Sequence, residues 1–494
     1  MSSKHAAFVF WITAVLYGVF WTVYPYLIVP NYQYDVIEMF FIGKEGVLAT
    51  FKHPAINSIV LELLYHRIGL IAPYLLNQIC FFTAALGVWQ LSKEFLPPKE
   101  ALFGALTFYG YWGYFYHSLY YNHNVVLIPV WSLAVLWAFY CIKYSRTRDW
   151  IGLGIIIGLG MYAKMTTVFL VAVILAYMLL NPSTRKHFLQ RGPYLTAVVS
   201  LVLAAPMIWW VWATHFSALD FPVQHYGLEK NWSNRFYSLT HDGVLAPVLL
   251  ISAFVLLCPL FRFTGKHSFP LVAVKQVRNY LLGITVLTWL VFAVPCFIGA
   301  VPKRVNDYYP LAVFAGPLFL AWFPVYQSKK RDALVWCLFA LTMTGYIAGH
   351  TYRIYGDAER RVQRFQFPGQ ELAEKATVLW HTRYPQSLPY IVSGGDFFLA
   401  GCVAFYSSDR PSFHGDYGLP TRIVWERATD IEKIRQRPRQ PLSTWSTDSN
   451  VLHSGGLVLW DEDDEYAALP KHIAEKFPSA ELVPQSLVLK PLLS

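Results

Sequence analysis

Residues 7–27 read AFVFWITAVLYGVFWTVYPYL, and none of them is charged. A helix needs about 20 apolar residues to cross a bilayer, and this stretch supplies them. Only Lys4 precedes it as a charged side chain, and no small-residue cleavage site follows. The stretch therefore reads as an uncleaved first helix rather than a signal peptide. Further apolar stretches at approximately 71–91, 101–115, 124–142, 150–163, 165–181, 195–214, 243–261, 280–299, 310–326 and 333–349 bring the total to about eleven spans. The pair 150–163 and 165–181, divided by Lys164, reads either as two spans or as one long tilted helix. Composition agrees: 55% of residues are hydrophobic, 17% aromatic and only 14% charged. Soluble domains carry about 25% charged residues.

The net charge of +10 is not spread evenly. Residues 350–494 hold 16 Lys and Arg against 18 Asp and Glu, so the first 349 carry the whole positive excess. With eleven spans and the N-terminus inside, 16 of those 24 basic residues fall in cytoplasmic segments and 8 outside. The positive-inside bias explains that split, and a nucleic-acid partner is not needed to explain the charge. Residues 350–494 then lie outside. No paired-cysteine framework or Cys-x-x-Cys appears, and Cys402 is alone in the tail.

The tail changes character. Pro389 to Ser393 reads as a strand, Phe397 to Tyr406 as a helix, and Gly455 to Trp460 as a second strand. Strand, helix, strand points to a small α/β domain. Gly394-Gly395-Asp396 fits a tight strand–helix turn better than a phosphate loop. The expected organisation is a membrane domain over 1–349 and a soluble external domain over 350–494.

The first external segment, 28–70, is too patterned for a plain connection. Residues 35–48 and 55–68 each read as an amphipathic surface helix, joined by the turn Phe51-Lys52-His53-Pro54. Asp35 and Glu38 lie one turn apart and share a helix face. Carboxylates are costly at a membrane edge, and those kept there are often functional. Asp35 suits a general base that takes an acceptor's proton; it could also cap the helix. Glu38 can orient an acceptor or make Asp35 more basic by like-charge repulsion. Lys52 can neutralise a departing phosphate or snorkel to headgroups. His53 can bind substrate, ligate a metal or pin the loop. Asn122, His123 and Asn124 enter a span from the second external segment and can read hydroxyls, or Asn122 can simply cap. Lys164 is a lone cation at a span edge, with a phosphate as its natural partner. Lys303 and Arg304 form an external basic pair, of which Arg304 is the better phosphate fork, or the two contact headgroups. No ATP-binding phosphate loop and no Asp-x-Asp nucleotide-sugar signature appears. A lipid-linked donor is then the economical choice.

The Asp35/Glu38 pair, the Lys52-His53-Pro54 turn, Asn122-His123-Asn124 entering a helix, and Asp149-Trp150 through Lys164 follow in a suggestive order. In that order the chain resembles the membrane-embedded GT-C glycosyltransferases. Within them it is similar to the bacterial branch related to dolichyl-phosphate-mannose protein mannosyltransferases, which includes aminoarabinose and galacturonosyl transferases of lipid A and core. The resemblance implies a polytopic α-helical GT-C membrane domain with a C-terminal external α/β domain. It implies Asp35 as catalytic base, Glu38 as its acidic partner, and Lys52 and His53 facing substrate. Lys164 and Arg304 match phosphate-contacting cations less firmly. Many relatives place an aspartate where this chain has Asn122 and Asn124, and an amide cannot act as a base.

The expected function is an inverting transfer of a sugar from a polyprenyl-phosphate carrier to lipid A or core lipopolysaccharide. It would take place at the periplasmic face of a bacterial inner membrane, with the C-terminal domain periplasmic. The partners are the lipid-linked donor, the envelope glycan acceptor and membrane lipids, with no nucleic acid. The chemistry requires no cofactor; a divalent cation held by Asp35, Glu38 and His53 is compatible with it. The alternatives are a protein O-mannosyltransferase and, in another class, a lipid or glycan transporter. Inverted repeats, which mark many transporters, are not visible.

Overall fold

The computed structural model describes residues 1–111, 117–216, 232–233, 236, 244–262, 271–297, 310–326, 328–356, 364–395, 397–417, 440–441, 443, 445–460 and 471–481. Within them, six helices are long and apolar enough to cross a membrane. These are Ser3–Ile28, the helical run Ile56–Ser92, His123–Tyr144, Arg191–Ala213, Val274–Val294 and Lys329–Tyr355. A seventh candidate is the pair Thr167–Leu180 and Pro182–Leu189, bent by 102°. The chain is a multi-pass membrane protein of mostly helical fold with a small C-terminal sheet.

Among the described residues, several of the other expected spans appear as shorter or broken helices, because hydropathy does not register breaks. The 101–115 segment appears as the short helix Pro98–Leu106, which dissolves into turns at Thr107–Gly110. The 243–261 and 310–326 segments appear as Val244–Leu257 and Ala315–Trp322. The 150–181 segment is not one helix. Thr147–Ala163 ends at Lys164, whose backbone is extended (φ −164°, ψ 137°), and Thr167–Leu180 begins after it.

The described residues fall into two compact units. Met1–Pro25, Pro73–Phe216 and Tyr226–Ala348 form one of them. There the Thr147–Ala163 and Arg191–Ala213 helices pack closely through small residues. A Cβ on Gly154 would stand 2.8 Å from Val199 Cβ, and one on Gly158 would stand 2.7 Å from Leu203 Cβ. Small residues four apart let backbones approach, which is how helices associate where lipid is as apolar as leucine. Thr196 Oγ1 donates to Trp150 O at 2.7 Å across the same contact. Ion pairs Lys143–Glu94 (2.6 Å) and Lys99–Asp332 (2.8 Å) join helix ends in this unit.

The other unit joins Tyr26–Ala72 to Gly349–Ser494. The contacts group the first external loop with the C-terminal segment, where the sequence alone assigns it to a membrane domain over 1–349. The cause is aromatic packing. Phe40 stacks on Phe405 at 4.0 Å and Phe41 on Phe413 at 4.3 Å. The Tyr34–Glu45 helix is also not amphipathic: every residue from Val36 to Gly43 is buried. It is covered by the Ile56–Ile68 helix on one side and Phe397–Tyr406 on the other, so no face is left for solvent. Gly43 permits the first approach, since a Cβ there would stand 2.2 Å from Ser58 O.

The C-terminal sheet has the parallel order β2-β1-β5, with β1 Tyr390–Ser393, β2 Ser412–His414 and β5 Leu457–Leu459. The Phe397–Tyr406 helix crosses from β1 to β2. The expected strand, helix and strand are therefore present, and β2 is an addition. A short hairpin, β3 Asp416–Tyr417 with β4 Gln440–Pro441, accompanies them. Val392, Val451, Ile473 and Phe477 form a core beneath the sheet.

Candidate functional site

Two of the sequence-selected clusters are brought together, one in each unit. The first lies on the Tyr34–Glu45 helix and the turn after it. Gln33 is the N-cap and makes no side-chain cap bond, so Asp35 is not the cap; it stands in the first turn. There the positive end of the helix dipole favours a negative charge. The helix stops at Gly46, whose left-handed φ of +64° suits a residue without Cβ. Asp35 and Glu38 share a face, as their spacing requires.

Glu38 is 4% exposed, and Lys52 Nζ donates to its Oε2 at 2.6 Å. Its Oε1 is buried with no hydrogen-bond partner among the described residues. Burial pushes the Glu38 carboxyl above its ordinary 4.5; the Lys52 charge opposes this and the Asp35 charge adds to it. Lys52 also lies 5.8 Å from the ring centroids of both Tyr34 and Phe397. The turn that delivers Lys52 is fixed by its own backbone. Thr50 N donates to His53 O at 2.9 Å, His53 N donates to Thr50 Oγ1 at 3.2 Å, and Ala49 bridges Pro54. His53 pins the loop through its backbone.

The second cluster is in the other unit. Lys164 Nζ donates to Asn124 Oδ1 at 2.7 Å, and His123 Nδ1 is 3.3 Å from Ala163 O. The helix break at Lys164 is what turns that ammonium toward the start of the His123–Tyr144 helix. Asn122 Oδ1 accepts from Val125 N at 3.0 Å, the N-cap bond of that helix. Asn77 Nδ2 holds the preceding turn through His117 O (2.6 Å) and Tyr120 O (3.0 Å).

Lys303 and Arg304 lie outside the described residues, as do Asp396 and most of 215–242. Among the described residues no group of three or more His, Cys, Asp or Glu is placed to hold a metal ion.

Sequence reasoning passed over several neighbours of the acidic pair. The Arg364 guanidinium lies 3.8 Å from the centre of the Tyr34 ring, beside Asp35 in the chain. Tyr34 packs against Phe397 at 4.0 Å. Arg410 reaches Glu62 on the second loop helix. The only sequence signal was that Tyr34 adjoins Asp35; the arginines come from more than 300 residues away.

Comparison with known proteins bears on the middle of the chain. Residues 53–210 match the family model of dolichyl-phosphate-mannose-protein mannosyltransferases. The match covers about a third of the chain, and includes His53, Asn122 to Asn124 and Lys164. It supports the glycosyltransferase resemblance read from the motifs. Two solved structures are also similar to the chain, both of ArnT from Cupriavidus metallidurans. The apo form is 12% identical with a TM-score of 0.43, over 88% of each chain. The form bound to undecaprenyl phosphate is 13% identical with a TM-score of 0.44, over 84% of this chain and 86% of that one. Comparison with curated proteins finds no matching sequence.

Proposed function

We propose that this chain is an inverting glycosyltransferase that takes a sugar from a polyprenyl-phosphate carrier and passes it to lipid A or core lipopolysaccharide. The reaction takes place at the periplasmic face of a bacterial inner membrane, where the C-terminal segment also lies. The observation that carries the reading is the Tyr34–Glu45 helix, with Asp35 in its first turn and Glu38 one turn on, ion-paired to Lys52. The match of residues 53–210 to a family named for a lipid-phosphate sugar donor supports the donor class.

The chemistry follows from the residue types. The acceptor oxygen forms a bond to the anomeric carbon as the bond from that carbon to the phosphate oxygen breaks. The acceptor proton passes to the Asp35 carboxylate, a role worth about 10²–10⁴-fold in rate. Charge gathers on the departing polyprenyl phosphate, and cations stabilise it. Lys52, whose Nζ donates to Glu38 Oε2, is the described candidate in the unit that carries Asp35. Glu38 holds the Lys52 ammonium through its Oε2 at 2.6 Å, and Asp35, in the first turn of the same helix, is the carboxylate that takes the acceptor proton. Because the lipid phosphate is already a leaving group, the reaction needs no cofactor, and transfer should persist in a chelator.

Reconstitution tests this directly. Purified protein in liposomes with a polyprenyl-phosphate sugar and lipid A should release free polyprenyl phosphate and glycosylated acceptor. Hydrolysis or transport without transfer would rule the reading out. The family match also favours a second reading, a protein acceptor, and the same assay with membrane glycoproteins separates the two.

A further inference from the structure

The C-terminal segment contributes a residue whose backbone and side chain are both committed to the first loop. Arg410 has φ +48°, a left-handed conformation that few side chains other than glycine adopt readily. Strain of this kind persists where surrounding contacts over-determine it. Those contacts are all within one unit. The Arg410 guanidinium is ion-paired to Glu62, which is 6% exposed and also meets His66 Nε2 at 3.1 Å. Its Nη1 donates to Phe405 O at 3.0 Å, and its face covers the Tyr65 and Phe405 rings. Its carbonyl accepts from Lys44 Nζ, in the last turn of the helix that carries Asp35 and Glu38. Two residues on, Ser412 Oγ donates to Glu45 Oε1 at 2.9 Å. The helix bearing the acidic pair is thus tied at its C-terminal end to the C-terminal segment.

We propose that Arg410 is a positioning residue: with Glu62 and Lys44 it fixes the Tyr34–Glu45 helix, and so sets where the Asp35 carboxylate stands. This rests on the functional reading above for its catalytic consequence, but not for the clamp itself. A helix is stiff over twelve residues, so a tie at Lys44 and Glu45 constrains Asp35 at the other end. A general base must stand within hydrogen-bond reach of the proton it takes. Misplacement by about 1 Å can cost up to about a hundredfold in rate.

The test is Arg410→Gly combined with Glu62→Gln and Lys44→Met in the full-length protein, the last because the Arg410 carbonyl that Lys44 reaches is backbone and survives the glycine. Glycine suits the left-handed backbone, and the neutral amide leaves no buried charge unpaired. Fold loss is thereby separated from clamp loss. Hydrogen exchange over residues 34–45 should rise while exchange over the His123–Tyr144 helix stays at the wild-type level. In the transfer assay kcat should fall roughly ten- to a hundredfold, with the donor KM within about twofold. Arg410→Lys, which keeps a cation against Glu62, should retain a larger share of kcat. Wild-type exchange over 34–45, a wild-type kcat, or a rise in exchange shared equally by His123–Tyr144 would each overturn the proposal. A wild-type protein that transfers no sugar would instead sink the functional reading, and the exchange result alone would then decide the clamp.

Discussion

Glu38 shows how one buried charge divides labour within the acidic pair. A carboxylate nearly out of solvent is costly unless paired, and Lys52 supplies the pair at 2.6 Å. Burial still raises its proton affinity, so from its ordinary 4.5 up to its raised value the folded protein holds a proton that the unfolded chain has released. Stability then falls as pH rises through that window. Melting temperature against pH should fall less steeply there in Glu38→Gln than in the wild type, and identical slopes would remove Glu38 as a source of the effect. Asp35 stands in the first turn of the same helix and is less buried. In the same detergent, Asp35→Asn should melt within a few degrees of the wild type yet lose at least about a hundredfold in transfer rate. That Asp35 and Glu38 share a helix face was legible in the sequence from their spacing; the Lys52–Glu38 ion pair was not, because the turn that brings Lys52 back is set by backbone bonds. Arg410 and Glu62 were not, because 348 residues separate them and no local pattern records a pairing at that distance.

At the level of elements, sequence pattern found the long uninterrupted helices and missed interruptions. Residues 7–27, 124–142 and 195–214 carry no charged side chain, and each corresponds to one helix. The 101–115 stretch is as apolar but turns at Thr107, whose hydroxyl donates to Gly104 O at 2.7 Å. The Lys164 break was visible only as a lone charge. The Tyr34–Glu45 helix was read as amphipathic because Asp35, Glu38, Lys44 and Glu45 interrupt its apolar run. Its burial is completed by Phe397–Tyr406, a helix more than 350 residues further along the chain. The small-residue contact between Thr147–Ala163 and Arg191–Ala213 gives a prediction at this scale. Gly158→Leu must displace the Leu203 side chain and the Ser200 carbonyl, and overpacking of this kind costs about 1–3 kcal/mol. The yield of monodisperse protein from membranes should drop several-fold; an unchanged yield and melting temperature would mean the contact is looser than the structure shows.

Across the whole molecule, the C-terminal segment and the first loop belong to one compact unit. The strand–helix–strand core of that segment was readable from its glycine-bounded apolar runs. Its union with residues 26–72 was not, because it depends on Phe405 and Phe413 meeting Phe40 and Phe41. A chain cut after residue 349 would leave those phenylalanines uncovered. Limited proteolysis should then cleave within 34–68, which stays resistant in the full-length protein; equal resistance in both would contradict the single unit.

The central claim, a lipid-phosphate-dependent glycosyltransferase with Asp35 as its base, is tested most directly in cells. Mass spectrometry of lipid A and core oligosaccharide would compare cells lacking the protein with cells carrying the wild type or Asp35→Asn. A sugar-sized mass increment present only with the wild type is the predicted result. Lipopolysaccharide unchanged in all three would contradict the assigned acceptor, and an increment that survives Asp35→Asn would contradict Asp35 as the base.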